Sequence, residues 1–316
     1  MEVIKIHHPY KQSQIPTDEV VLVLGFFDGV HLGHQKVINT GKEEAIRRGK
    51  KLAVMTFNHH PSVVFKKVDH KKMKYITTTD QKIKRMEALD VDILYVIEFT
   101  SAFASLEPQD FVDQYIVGLH AVAAVAGFDY TYGKADIASM DLLPDYSKNR
   151  FDVIEVPKQQ FGDEKISSTN IRKMMAEGNM EGANAFLDYP YELSGMVVHG
   201  DKRGRTLGFP TANIKIAQQS LLPVGGVYAV KICVAGQWYM GMAQIGFNIT
   251  FESNRPMTIE VNILDFDEDI YGEQVSVQWC HYLRKEMKFD GIDSLVTQLK
   301  KDEEDTREYF TYKGVL

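Results

Sequence analysis

Two histidines three residues apart, His31 and His34, end the stretch GFFDGVHLGH (25–34), which also carries Gly25, Gly29 and Gly33. At that spacing both imidazoles can lie on one side of a first helical turn and serve one phosphate. Glycines at positions 29 and 33 let backbone N–H groups approach a ligand closely, and a helix N-terminus favours negative charge. The chemistry that fits is stabilisation of charge building on a pentavalent phosphorus, without covalent attachment to histidine. The H-x-G-H spacing matches neither G-x-G-x-x-G nor G-x-x-x-x-G-K-[ST], so the dinucleotide fingerprint and the P-loop are both poorer matches. The competing reading is a glycine-rich turn with two incidental histidines.

Further clusters weigh against that reading. KISSTNIRKMM (165–175) sets Lys165, two small hydroxyls and Arg172 around a helix start. Ser168 is the expected N-cap, and Ile171, Met174 and Met175 form the expected buried stripe. TFNHHPSVVF (56–65) delivers His59, His60 and Pro61 directly after an apolar run. GDKRGRTLGFPTAN (200–213) places Gly200, Gly204 and Gly208 four apart, with Lys202, Arg203 and Arg205 between them and Thr211 and Asn213 after Pro210. Such a loop can close over phosphates, and a hydroxyl and an amide are hard oxygen donors suited to Mg²⁺ shared with a nucleotide. In TIEVNILDF (258–266), Ile259, Val261 and Ile263 take one face of a strand while Glu260 and Asn262 take the other. Glu260 can then act as general base toward a substrate hydroxyl. The plain alternative is a solvated glutamate on an antiparallel strand.

The elements needed to position these groups are legible as two patterns. In the first, short apolar runs alternate with helical stretches: VVLVL (20–24), a helix over 33–48 burying Val37, Ile38, Gly41 and Ala45, LAVMTF (52–57), a helix over 79–89 and ILYVIEF (93–99). A helix opened by Pro108 follows, with Phe111, Val112, Tyr115, Ile116 and Leu119 on one face, then AVAAVAG (121–127). Alternation of this kind predicts a doubly wound parallel α/β sheet with ligands beyond the carboxyl ends of its strands. After about residue 184 the chain offers mostly strands: YELSGMVVHG, GVYAVKICV turning at Ala235 and Gly236 into QWYMGMAQIG, TIEVNILDF and VSVQWCHYL. These predict an antiparallel sandwich or small barrel. A final helix over about 294–309 is expected to face Leu295, Val296 and Leu299 inward, followed by a solvated charge run, KKDEEDTRE.

Composition narrows the function classes. The 316 residues favour two domains, 44% are hydrophobic and 25% charged, as in an ordinary globular protein. A formal charge of -7 disfavours a general nucleic-acid binder, which needs a broad basic surface. No apolar run approaches the length of a membrane span, and no leader segment is apparent, so a cytoplasmic protein is expected. Cys233 and Cys280 are far apart and lack metal-like spacing.

In order along the chain, FFDGVHLGH, TFNHHP, AGFDYTYG, ISSTNIR, GDKRGRTLGFPTAN, LPVGGVYAV and IEVNILDF…YG resemble the bacterial bifunctional riboflavin kinase/FAD synthetase family. The resemblance implies an HxGH-type nucleotidyltransferase domain over 1–184 and a six-stranded riboflavin kinase barrel with a C-terminal helix over 185–316. It implies ATP- and Mg²⁺-dependent phosphorylation of riboflavin to FMN, then adenylylation of FMN to FAD. Carried over by motif, His31 and His34 serve adenylyl transfer with Ser168, Thr169 and Arg172, and Gly25, Phe26, Asp28, Gly29, Gly33, His60 and Asp129 complete that nucleotide site. In the kinase half, Gly200, Lys202, Gly204, Arg205 and Gly208 hold phosphates, Thr211 and Asn213 take the metal, and Glu260 is catalytic.

The chain also departs from the family pattern. Phe128 stands where a polar Glu or Asn is usual, and KADIASM (134–140) replaces a loop containing Gly and Arg. His59 takes a proline's place, Asn262 a histidine's, and Ile249 the place of the proline before Thr250. These departures keep other readings open: an enzyme with one live half, a flavin- or nucleotide-binding regulator, or, from the HxGH motif alone, an enzyme that modifies nucleic acid.

Overall fold

The computed structural model describes residues 1–65, 73–161, 164–200, 203–246 and 258–312. The chain divides into two compact units, Met1–Ser168 and Thr169–Leu316.

The first unit runs β1 (Glu2–Ile6), β2 (Val20–Leu24), α1 (Leu32–Arg48), β3 (Lys51–Phe57), α2 (Ser62–Phe65), α3 (Thr79–Ala88) and β4 (Ile93–Ile97). It continues through α4 (Ser101–Ala104), α5 (Pro108–Phe111), β5 (Ala121–Gly127), α6 (Leu143–Ser147), β6 (Asp152–Val156) and the short pair β7 (Gln160–Phe161) and β8 (Glu164–Lys165). Six strands form one parallel sheet in the order β1-β4-β3-β2-β5-β6. The run VVLVL is buried throughout because both faces are covered. Val21 and Val23 pack with Val37, Ile38 and Ala45 of α1 and Met86 of α3, whereas Val20, Leu22 and Leu24 pack with Phe103, Phe111 and Tyr115. The parallel sheet with covering helices on both faces bears out the α/β expectation.

The expected helix from Pro108 buries Phe111, Val112, Tyr115, Ile116 and Leu119 as foreseen. Its winding changes, however: α5 ends at Phe111 and Val112–Val117 form a π-helix. β1 and β6 add to the strands legible in the sequence; both lie at sheet edges and mix charged residues into their apolar pattern.

The second unit contains most of α7 (Ser168–Ala176), then α8 (Met180–Leu187), β9 (Tyr191–Val198), α9 (Arg203–Thr206), β10 (Ala212–Ile216), β11 (Gly226–Val234), β12 (Gln237–Gly246), β13 (Thr258–Ile263), β14 (Gln274–Arg284) and α10 (Ile292–Tyr312). The six strands close into a barrel in the order β10-β13-β12-β11-β14-β9, all pairs antiparallel. α7 and α8 are tied to it. Val224 N–H donates to Met175 O (3.1 Å), Asn184 Nδ2 donates to Trp279 O (2.8 Å), and Tyr191 N–H donates to Asn184 Oδ1 (2.8 Å).

The C-terminal helix is longer than expected and turns a different stripe inward. Leu295, Val296 and Leu299 are only half-buried, while Asp302, Thr306 and Phe310, spaced four apart, are fully buried. The charge run is therefore not wholly solvated. Asp302 is paired with Arg284, whose Nε and Nη2 donate at 2.8 and 2.6 Å, and this two-pronged bond is what lets the carboxylate leave water.

Candidate functional site

In the parallel sheet the chain winds outward in opposite directions from β2 and β5, so the crevice beyond their carboxyl ends is where a ligand is expected. GFFDGVHLGH leaves β2 at that point. His31 is the N-cap of α1: its Nδ1 accepts from His34 N–H (3.3 Å), and the two rings stack with centroids 3.6 Å apart. An accepting Nδ1 leaves the proton of neutral His31 on Nε2, as a donor. Burial pushes His31 down to about 4 and His34 well below its ordinary value, so both are neutral at pH 7. His34 Nδ1 is buried without a hydrogen-bond partner.

The loop's backbone is strained at Phe27 and Val30, with φ of 55° and 37°, while Gly29 between them takes φ of 88° at no such cost. Asp28 offsets part of that cost, its Oδ1 accepting from Ile76 N–H (2.9 Å) and Thr77 N–H (3.1 Å), while Gly29 N–H donates to Thr77 Oγ1 (2.9 Å). Asp28 thus holds the loop's shape. Gly25 lies against the Phe27 ring, and a side chain at Gly33 would sit 3.2 Å from the His31 ring, crowding the imidazole.

Several of the other motifs converge on this loop. Ser168 Oγ donates to Asp28 O (2.8 Å), so ISSTNIR meets HxGH. Ser168 is the first residue of α7 rather than its N-cap, and its hydroxyl hydrogen goes to that loop carbonyl; Thr169 and Arg172 follow on the helix. His60 stands edge-on to the Phe26 ring (5.1 Å), and its N–H donates to Tyr75 Oη (3.2 Å). At the end of β5, Asp129 pairs with Lys165 (3.3 Å), and the Lys165 ammonium lies 5.4 Å from the centre of the Phe128 ring, which is 40% exposed. The KADIASM loop closes on itself through Ala138 N–H to Lys134 O (2.8 Å) and Tyr132 N–H to Ala138 O (3.0 Å).

The second constellation lies where β10 meets β13. Asn213 is directly opposite Glu260, and Thr211 Oγ1 donates to Glu260 Oε2 (3.3 Å). All three are half-buried, alternating with buried Ala212, Ile259 and Val261, so Glu260 is not the freely solvated glutamate of the plain alternative. Asn262 is buried instead of facing solvent, because its Nδ2 donates to Pro210 O (2.7 Å). Gly204 accepts from Phe209 N–H (2.9 Å), and a side chain there would lie 2.2 Å from Phe209 O, so only glycine allows the loop to fold back this tightly. Gly200 lies against the Asn213 amide, Arg205 is within α9, and Gly208 follows it with φ of +82°. Lys202, Ile249 and Thr250 lie outside the described residues.

Both constellations coincide with known protein families. The family model for FAD synthetase matches residues 13–170, and that for riboflavin kinase matches residues 187–310. The chain belongs to the bifunctional riboflavin kinase/FMN adenylyltransferase family. It is 50% identical to the bifunctional riboflavin kinase/FMN adenylyltransferase of Listeria monocytogenes over 98% of both chains. It is 45% identical to that of Bacillus subtilis over 98% of this chain and 99% of the relative. A crystal structure from Streptococcus pneumoniae, described as a macrolide-efflux protein, superposes with a TM-score of 0.88 at 39% identity, covering 96% of this chain and 99% of that one. Efflux is that protein's description; among the residues described here no helix is long and apolar enough to cross a membrane. The protein is an enzyme of flavin cofactor synthesis, forming FMN from riboflavin and FAD from FMN. The departures at Phe128, the 134–140 loop and Asn262 therefore occur within a bifunctional family, which disfavours the one-live-half and regulator readings.

Some residues that shape the first constellation carry no sequence signal. Thr77 and Tyr75 sit in an ordinary helix approach, and Lys82 occupies a helix position where lysine normally reaches water.

Proposed function

We propose that the two activities are divided between the two constellations, with adenylyl transfer at the HxGH loop and riboflavin phosphorylation at Glu260. The observation that carries this reading is the bond from Ser168 to the Asp28 carbonyl, which unites two phosphate-type motifs at a strand end while Thr211, Asn213 and Glu260 gather on a barrel. In adenylyl transfer an FMN phosphate oxygen bonds to the α-phosphorus of ATP as the bond to the departing pyrophosphate breaks. His31 and His34, neutral and stacked at the start of α1, donate to the phosphoryl oxygens as charge develops. Gly33 and the helix N-terminus hold the nucleotide in the ground state, and Gly29, whose N–H is given to Thr77, supplies the turn that brings the loop to it. Gly25, Phe26, His60, Asp129, Thr169 and Arg172 belong to the same function by motif, and Asp28 shapes the loop.

In the kinase reaction Glu260 takes the proton of the terminal ribityl hydroxyl as that oxygen bonds to the γ-phosphorus of ATP and the bond from that phosphorus to the departing ADP breaks. Gly200, Lys202, Gly204, Arg205 and Gly208 form the phosphate loop. The Thr211 hydroxyl and Asn213 amide are hard oxygen donors that fit Mg²⁺, and no cluster of three or more His, Cys, Asp or Glu able to hold a metal exists among the described residues. Held there, Mg²⁺ would neutralise phosphate charge. ATP, riboflavin and FMN are the partners, nucleic acid is not, and the charge of -7 supports that reading. The proposed location is the cytoplasm, where ATP is available, and the proposed domains are 1–184 and 185–316.

Glu260→Gln and His34→Ala form the test, read by chromatography of products from riboflavin, FMN, ATP and Mg²⁺. Glu260→Gln should lower FMN formation by roughly 10²-fold or more and leave FAD formation from FMN intact. His34→Ala should do the reverse, lowering FAD formation by about 10²- to 10³-fold. Equal loss of both activities in either variant would refute the division.

A further inference from the structure

We propose that Lys82 is a positioning residue of adenylyl transfer, a buried cation that pins the Phe26 carbonyl and keeps positive charge near His34. This rests on assigning the HxGH loop to that reaction. Lys82 is 3% exposed on α3, and its ammonium donates to Phe26 O (2.6 Å) and Thr56 Oγ1 (3.1 Å). The Thr56 hydroxyl donates to the same Phe26 O (2.8 Å), so one loop carbonyl is held by two donors. The Phe26 ring covers the ammonium, its centroid 4.2 Å from Nζ.

A lysine that serves only as a fastener is an expensive choice. Its bonded partners are neutral oxygens, and a buried ammonium without a bonded carboxylate carries a large desolvation cost that a neutral side chain of the same shape avoids. What the ammonium adds is charge at the foot of a phosphate site. The titratable and charged groups around it are Asp28 of the loop, whose field supports the charged form, His34 of α1, whose protonation Lys82 opposes, and Tyr75, which packs on Phe26. Keeping His34 neutral leaves it as a hydrogen-bond donor that changes no charge on binding, while the ammonium attracts the triphosphate. Burial brings Lys82 down to about 8, so its charge is lost under mildly alkaline conditions.

The test compares the full-length protein with Lys82→Met, Lys82→Arg and His34→Ala. FAD formation from FMN and ATP is followed between pH 7 and 9.5, with FMN formation from riboflavin measured on the same samples. Lys82→Met should lower kcat for FAD formation by roughly 10- to 100-fold, the scale seen when groups that orient a site from behind are removed, with KM for FMN little changed. FMN formation should be unaltered, and Lys82→Arg should recover part of kcat. The unaltered enzyme should lose FAD formation on an alkaline limb above pH 8 that FMN formation lacks and that Lys82→Met flattens. The inference is overturned if Lys82→Met keeps kcat within about twofold, if Lys82→Arg fares no better than Lys82→Met while the melting temperature falls in both, or if the alkaline limb is missing. If His34→Ala also leaves FAD formation intact, the assignment of the loop itself fails.

Discussion

At the scale of residues, the histidine pair links stability to pH in a direction that can be worked out. The folded chain lowers His31 to about 4, below the 6.5 of the unfolded chain. Above about pH 6.5 both states hold the ring neutral, and its contribution to stability is complete. As pH falls from 6.5 toward 4 the unfolded chain takes up a proton that folded His31 refuses, and stability declines. His34 shifts the same way and adds to the slope. Calorimetry should show the melting temperature falling across this window, and His31→Gln should make the fall shallower. A variant slope equal to that of the unaltered protein would show that folding does not lower His31. His31, His34 and Glu260 are legible in the sequence because their types and spacing are unusual for a core. Lys82 is not, because nothing local marks a lysine whose tip is sealed by residues dozens of positions away.

At the scale of elements, Gly41 sets how closely α1 lies on β2. A Cβ at that position would come within 2.3 Å of Val23 Cγ2, and Val23 belongs to a fully buried strand with no room to yield. Gly41→Ala should push the helix off the sheet, costing about 1–3 kcal/mol as overpacking does, although alanine is the better helix former. The His31 end of α1 moves with it, so FAD formation should fall while FMN formation holds, as product chromatography and a urea melt would reveal. The long strands and helices are legible through their periodicity, as Val37, Ile38, Gly41 and Ala45 demonstrate. β10 is not, since its residues read equally well as a continuation of the preceding glycine loop. In α10 the buried stripe includes Asp302 and Thr306, which no hydrophobic pattern can mark; Arg284, far away in sequence, makes their burial tolerable.

At the scale of the whole molecule, the change from alternating to all-strand pattern near residue 184 is a real change of architecture, yet compactness divides the chain at Ser168 and Thr169. The difference is α7 and α8, helical in pattern but tied to the barrel by Met175 and Asn184. A fragment of residues 169–316 should therefore be more stable to urea than one of 185–316, which leaves Tyr191 N–H and Trp279 O without their Asn184 partners. Both should make FMN and neither FAD; equal urea midpoints would mean that the two helices add nothing. The two architectures also meet solvent differently. A closed barrel has no first or last strand, whereas the open sheet ends in β1 and β6, each of which pairs with a strand on one side only among the described residues. Those strands display Glu2, Lys5, Asp152 and Glu155 at exposed positions, charges that a docking strand would have to bury. Protection against aggregation is thus built into the barrel by geometry, while the sheet depends on four side chains at its margins to supply it.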